Sequence, residues 1–223
     1  MLQPSGLGSR AWRTILAVAP TAAPRRQTNW ENMTTIAVIL GSTRPGRNSE
    51  AVARWILDLA SARTDASFEL VDVADHDLPL LDEPVPASMG QYQNEHTKRW
   101  AETVARYDGY VFVTPEYNHS TSGALKNAID YVYAEWNNKA ASFVSYGSAG
   151  GVRAVEHLRL IAAELQIATV RAQVSLSLAD DFENYSEFTP REQALPQVET
   201  MLDQLVSWTK ALESVRAEGA PAS

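Results

Sequence analysis

The chain contains no cysteine. That excludes disulfides, thiolate catalysis, Cys-ligated iron–sulfur clusters and every zinc site built with Cys. Histidine is scarce: His76, His96, His119 and His157 are scattered, and no two stand at the spacing of a helical metal motif. Long apolar runs are missing as well. None approaches the ~18–20 residues that span a bilayer, so no membrane partner is expected. Basic charge is short: 19 Lys and Arg stand against 27 Asp and Glu, a formal net charge of −8, with no basic cluster in the body of the chain. Phosphate-backbone binding needs a basic stripe, so nucleic acid is not an expected partner. Any redox chemistry must then come from a bound organic cofactor.

What is present is an ordinary globular balance of 45% apolar and 21% charged residues over 223 positions. The first 32 residues stand apart, with Arg10, Arg13, Arg25 and Arg26 and no acid before Glu31. Their apolar stretch Ile15-Leu16-Ala17-Val18-Ala19 is shorter than a signal-peptide core of ~7–15 residues. Residues 1–32 are expected to form a flexible extension, with an Arg-rich targeting segment as the alternative. A single domain is expected over 33–217, a disordered tail over 218–223, and a cytoplasmic location.

From Met33 onward strand and helix patterns alternate. Ile36-Ala37-Val38-Ile39-Leu40, Phe68 to Val73, Tyr110 to Thr114 and Ala141 to Ser145 read as strands, and Ile167-Ala168-Thr169-Val170 begins a fifth that continues or pauses before Val174. Helical stripes recur at Val52/Ile56/Leu59, Trp100/Val104, Leu125/Ala128/Ile129/Val132 and Leu158/Ile161/Ala162/Leu165, with a long terminal helix from Leu195 to Leu212. Residues 180–190 are polar and aromatic and are predicted to be loop. Alternation of this kind implies an α/β fold: a flavodoxin-like, doubly wound, five-stranded parallel sheet in the order 2-1-3-4-5, with helices on both faces. Ligands of such sheets sit at the carboxyl ends of the strands, where the order reverses. Three loops are therefore expected to face one ligand.

The first loop, Gly41-Ser42-Thr43-Arg44-Pro45-Gly46-Arg47-Asn48-Ser49, joins a strand to a helix start. Such a junction collects free N–H groups and the positive end of a helix dipole, and two guanidiniums stand beside it, so it suits a phosphate. It is neither a P-loop nor a Gly-x-Gly-x-x-Gly turn. The second loop, Pro115-Glu116-Tyr117-Asn118-His119-Ser120-Thr121-Ser122-Gly123, offers a flat aromatic face at Tyr117 and a donor–acceptor amide at Asn118. Glu116 is either a base or a structural hydrogen-bond acceptor. His119 reads as a solvent-facing loop residue, because no carboxylate is spaced to orient it. In the third loop, Tyr146-Gly147-Ser148-Ala149-Gly150-Gly151, glycines permit close approach of the backbone to a ligand.

Taken together, Pro115-Glu116-Tyr117-Asn118 with Ser122-Gly123-Ala124-Leu125-Lys126-Asn127-Ala128-Ile129-Asp130, Gly41-Ser42-Thr43-Arg44 with Asn48-Ser49, and Gly147 with Gly150-Gly151 resemble the NADPH-dependent FMN reductase family, over about Thr34 to Ala179. The resemblance implies FMN as cofactor, with its phosphate at Ser42, Arg44, Arg47, Asn48 and Ser49. It implies the isoalloxazine against Pro115, Glu116, Tyr117 and Asn118, its other edge near Tyr146, Gly147, Gly150 and Gly151. Where the family often has Ser or Gly, this chain has Pro45-Gly46-Arg47-Asn48, which leaves the relative roles of the two arginines open. The implied activity is an NAD(P)H oxidoreductase, with NADPH or NADH as co-substrate, passing hydride through FMN to a quinone, free flavin, azo compound or metal oxyanion. No catalytic side chain and no metal are expected, since the flavin carries the hydride. The alternative is a flavodoxin-like electron carrier or flavin-binding sensor. The family also implies a homodimer or homotetramer, for which the apolar loop Leu78 to Pro84 and the aromatics Tyr131, Tyr133 and Trp136 are candidate interface residues.

Overall fold

The computed structural model describes residues 33–219; the extension expected over 1–32 and residues 220–223 lie outside the described residues. The elements β1 (Thr35–Leu40), α1 (Ser49–Ala60), β2 (Ser67–Asp72), α2 (Glu95–Ala105), β3 (Gly109–Pro115), α3 (Gly123–Asp130), β4 (Ala140–Gly147) and α4 (Val152–Glu164) alternate as the periodicity predicts. The strands pair in parallel in the order β2-β1-β3-β4-β5, where β5 is Ala168–Thr169. The order reverses between β1 and β3, which is where the topology leaves a crevice.

Burial explains the strand composition. Ile36 to Leu40 of β1 are each at most 1% exposed, because helices cover both faces of the sheet. Ala37 and Ile39 face one core layer with Trp100, Val104, Leu125, Ile129, Val155 and Leu158 of α2, α3 and α4. Ile36, Val38 and Leu40 face the other, with Val52 and Ile56 of α1 and with Val198, Leu202 and Leu205 of α5 (Leu195–Ala211).

The fifth strand does pause. After β5 the chain leaves the sheet and rejoins β4 as β6 (Val174–Ser177). Arg159 of α4 braces the gap: its guanidinium donates to the Val170 carbonyl at 2.9 Å, the Arg171 carbonyl at 3.3 Å and Gln173 Oε1 at 3.0 Å. The carbonyls that the sheet does not pair there are thus satisfied by a side chain.

Residues 180–190 are not a plain loop. Phe182–Glu183 and Glu187–Phe188 form a short antiparallel hairpin, β7 and β8. Its strands are two residues long, below the reach of any periodicity test, and side chains support its short ladder. Phe188 meets Trp55 of α1 with ring centroids 5.4 Å apart, and Phe182 meets Tyr146 at 5.9 Å. At the carboxyl end, α6 (Glu213–Gly219) carries regular structure past the expected limit at residue 217.

Two of the three candidate interface aromatics are also placed differently. Tyr131 and Trp136 are fully buried in their own chain. Trp136 packs on Tyr110 of β3 at 4.8 Å and donates to the Ile129 carbonyl, and the Tyr131 hydroxyl donates to the Pro79 carbonyl. They fill the core at the end of α3 and present nothing to a partner.

Candidate functional site

Parallel register brings the carboxyl ends of three strands to one edge. Leu40 pairs with Val113, and Pro115 with Tyr146. The loops that follow are tied to one another before any ligand is considered. Ser122 caps α3 by accepting from the Leu125 N–H at 3.1 Å, and its hydroxyl donates a short hydrogen bond to the Gly41 carbonyl. Ser42 Oγ lies 3.1 Å from the Tyr117 hydroxyl. The Glu116 N–H donates to the Tyr146 carbonyl at 3.0 Å.

A cleft of about 340 Å³ opens between them, lined by Arg44, Gly46, Arg47 and Asn48, by Pro115, Glu116 and Tyr117, by Tyr146 and Gly147, and by Leu178, Tyr185 and Ser186. Eight of the predicted site residues therefore meet in one place. The other five do not line the cleft. Ser42 and Ser49 are buried beneath the first loop, Gly150 and Gly151 are buried in the third, and Asn118 is exposed on a turn.

The two arginines separate by role. Arg47 reaches back to the Ser42 carbonyl at 2.6 Å and pairs through both terminal nitrogens with Asp72 at the end of β2. It clamps its own loop. Arg44 is exposed on the cleft, and its side chain makes no hydrogen bond or ion pair among the described residues. Asn48 does not cap α1; its amide donates to the Tyr185 carbonyl at 3.0 Å. Burial of Val52 and Ile56, roughly 1.5–3 kcal/mol each, holds α1 without the ~1 kcal/mol of a cap. The first turn is left without a side-chain cap, and the buried Ser49 hydroxyl lies beside the Tyr146 phenol.

In the second loop, Tyr117 and Ser120 exchange backbone hydrogen bonds across Asn118 (φ 49°) and His119 (φ 76°). Two left-handed residues in succession make a type I′ turn, and they turn the chain sharply at the rim of the cleft. The Glu116 carboxylate accepts from the Arg153 N–H at 3.2 Å and forms a close ion pair with the Arg153 guanidinium, contacts that suit a structural acceptor. His119 makes no side-chain hydrogen bond among the described residues; its ring centroid lies 6.2 Å from that of His157. In the third loop Gly151 has φ 72°, and a Cβ there would stand 2.6 Å from Ser145 Cβ and 2.8 Å from the Tyr146 nitrogen. Burial pushes the Tyr146 phenol up to about 12, so it faces the cleft as a neutral donor.

Five residues of this site lay beyond the sequence reading. Asp72 and Arg153 hold Arg47 and Glu116; Asp72 ends a strand beside β1, and Arg153 sits in the first turn after the third loop, so both had a positional signal. Leu178 follows the fifth-strand stretch, Tyr185 and Ser186 come from the segment 180–190 expected to be loop, and none of the three had such a signal.

Comparison with known proteins gives the family. A model of the NADPH-dependent FMN reductase family matches residues 34–181. An NAD(P)H-dependent FMN reductase of a Nectria species is 46% identical over 128 residues, which span 55% of this chain and 64%, just under two thirds, of that protein. One from Schizosaccharomyces pombe is 36% identical over 183 residues, 81% of this chain and 84% of the relative. Among solved structures, a flavoenzyme NAD(P)H:(acceptor) oxidoreductase from Paracoccus denitrificans shares the fold, with a TM-score of 0.63 at 22% identity over 80% of this chain and 98% of that one. By its matched residues and by its sheet order, the chain belongs to the NADPH-dependent FMN reductase family.

Proposed function

We propose that the cleft seats FMN and that the chain works as an NAD(P)H oxidoreductase that delivers electrons to a small acceptor such as a quinone or a free flavin. The observation that carries this reading is the convergence of the three β-to-α junctions on one cleft, within the residues that the family model matches. The residues fit the group. The Arg44 guanidinium, without a partner among the described residues, and the uncapped first turn of α1 form a phosphate cradle. The close packing at Gly147, where a Cβ would lie 3.1 Å from Glu116 Cβ, leaves backbone rather than side chain at the opposite wall.

Bound FMN supplies the chemistry, accepting hydride from the nicotinamide and passing electrons onward. The protein's part is position. Arg47–Asp72 and Glu116–Arg153 are ion pairs that fix the loops, and Tyr117 is anchored through Ser42. On this reading residues 33–217 act as one domain in the cytoplasm, as a homodimer or homotetramer. The described residues contain no helix long and apolar enough to cross a membrane.

The test separates the two arginines. Loss of a charge-assisted hydrogen bond worth roughly 1.5–3 kcal/mol weakens binding by about ten- to hundredfold. Arg44→Ala is expected to raise the Kd for FMN by that factor with an unchanged urea midpoint, whereas Arg47→Ala lowers both affinity and midpoint. Unaltered FMN affinity in both variants sinks the phosphate assignment. Mixing the FMN-loaded protein with NADPH or NADH without air then distinguishes an oxidoreductase, whose yellow colour bleaches rapidly, from an electron carrier, whose colour persists.

A further inference from the structure

One wall of the cleft has no counterpart in the residues that the family model matches. Tyr185 and Ser186 line it, and both lie beyond residue 181. They form the tip of the β7–β8 hairpin, which bridges two of the three loops. At its approach the Leu178 N–H donates to the Gly147 carbonyl at 3.1 Å, and at its tip the Tyr185 carbonyl accepts from Asn48 at 3.0 Å.

The hairpin is pinned at its base. Asp181 is fully buried and accepts from the Ser177 N–H at 2.8 Å, the Arg191 N–H at 3.1 Å and two nitrogens of the Arg191 guanidinium at 3.0 Å each. The Thr189 N–H donates to the Asp181 carbonyl at 2.9 Å. Both legs are thereby closed on one carboxylate, with Phe182 and Phe188 packed inward at 5.1 Å.

The tip is built differently. Asn184 (φ 50°) and Tyr185 (φ 59°) are both left-handed, and neither is glycine. Strain of this kind persists where the surroundings impose it, and it gathers at ligand clamps. The strained residue carries a large aromatic side chain that is 69% exposed although it borders the cleft. Among the described residues nothing covers that ring. It shares the cleft with Arg44, Gly46, Arg47 and Asn48, the expected phosphate end.

The geometry points to Tyr185 and Ser186 as contacts to the ribityl-phosphate end of FMN, the hairpin acting as a clamp that sets how long the cofactor stays. The inference rests on the reading of the cleft given under the proposed function. The Asn48–Tyr185 bond is the latch: it must part before a ligand held by the first loop can leave past the tip.

Tyr185→Gly removes the ring at a position whose backbone glycine prefers, so the turn survives. Ser186→Ala removes the hydroxyl alone. FMN release from the loaded protein is followed by the return of flavin fluorescence on large dilution into buffer, and uptake by its quenching. Tyr185→Gly is expected to release FMN roughly tenfold faster with an association rate within about threefold of wild type, and Ser186→Ala to shift release in the same direction. Release unchanged in both variants overturns the clamp. So does a rise in KM for NADPH with FMN release unchanged, which assigns the tip to the nicotinamide. A wild-type protein that takes up no FMN overturns the reading of the cleft itself and the clamp with it.

Discussion

Lys139 sits at the edge of the sheet opposite the cleft and is 7% exposed. Its ammonium donates to the Val104 carbonyl at 3.2 Å, the Ala105 carbonyl at 3.3 Å and the Tyr110 hydroxyl at 3.0 Å, so it neutralises the carbonyl end of α2. Burial, assisted by Arg216 and opposed by Asp108 and Glu135, lowers its pKa to about 8. The unfolded chain holds that proton to about 10.4. Between those values the unfolded state binds more protons than the folded one, so this group adds stability as pH rises through 8 and stops adding near 10.4. Lys139→Met lacks the effect. The stability of wild type relative to Lys139→Met, from urea midpoints, should therefore grow by about 2 kcal/mol between pH 7.5 and 9.5; a constant difference refutes the burial argument. Glycine makes a second contrast at this scale. Gly46 (φ 68°) has open space where a Cβ would stand, and Gly151 (φ 72°) has Ser145 Cβ at 2.6 Å. Gly46→Ala is expected to cost about 1 kcal/mol, the left-handed penalty alone. Gly151→Ala adds overpacking against backbone and should cost about 3 kcal/mol in thermal or urea unfolding.

At the scale of elements, the junctions matter more than the elements they join. Ser122 is the clearest case, since one hydroxyl caps α3 and holds the Gly41 carbonyl of the first loop. Ser122→Ala should destabilise by about 2 kcal/mol, a cap plus a buried carbonyl left unpaired, and should weaken FMN binding though Ser122 touches no part of the cleft. Loss of stability with unchanged FMN affinity shows that the loops keep their places without it. The same scale shows what was legible in the sequence. β1, β3 and β4 are unbroken apolar runs because both sheet faces are covered, and α1 to α4 announce themselves by a stripe; burial writes those patterns directly. The pairing of Arg47 with Asp72 was not legible, because its partner lies 25 residues away and only the β1–β2 register brings it near. The hairpin escaped for a different reason. Its turn residues Asn184 and Tyr185 lack the glycine that usually marks such a turn, and Asp181 and Arg191, which hold its base, are ten residues apart in a stretch without periodicity. Tyr131 and Trp136 were misjudged because aromatics at a helix end suit a core and an interface equally; the rings of β3 decide the matter.

For the whole molecule, the two helical faces differ in what they leave uncovered. On the α3–α4 side Leu160 is 74% exposed, and it borders a cavity of about 460 Å³ with Ser120, Thr121, Ser122, Gly123, Lys126, His157 and Ile161. Leu80 and Leu81, in the long connection that hydrogen-bonds to Asn127 of α3, are 86% and 48% exposed. On the α5 side Trp208 is 49% exposed, and Leu195, 43% exposed, borders a cavity of about 400 Å³ with Leu59, Val198 and Leu202. Single apolar residues on a surface need no partner, but exposed apolar residues beside a cavity do favour one, and both faces offer that. The α3–α4 cluster also adjoins the second loop, so a partner seated there would lie at the rim of the cleft and shield it from water. A two-fold interface uses the same patch twice, so one charge introduced at its centre meets itself across the axis. Leu160→Asp should therefore convert an assembled protein to monomer in sedimentation velocity, while Trp208→Asp leaves the assembly intact. If FMN affinity falls in the Leu160→Asp monomer, the partner completes the site; if it holds, the cleft is complete in one chain. A wild-type protein that sediments as a monomer at micromolar concentration removes the proposed homo-oligomer altogether.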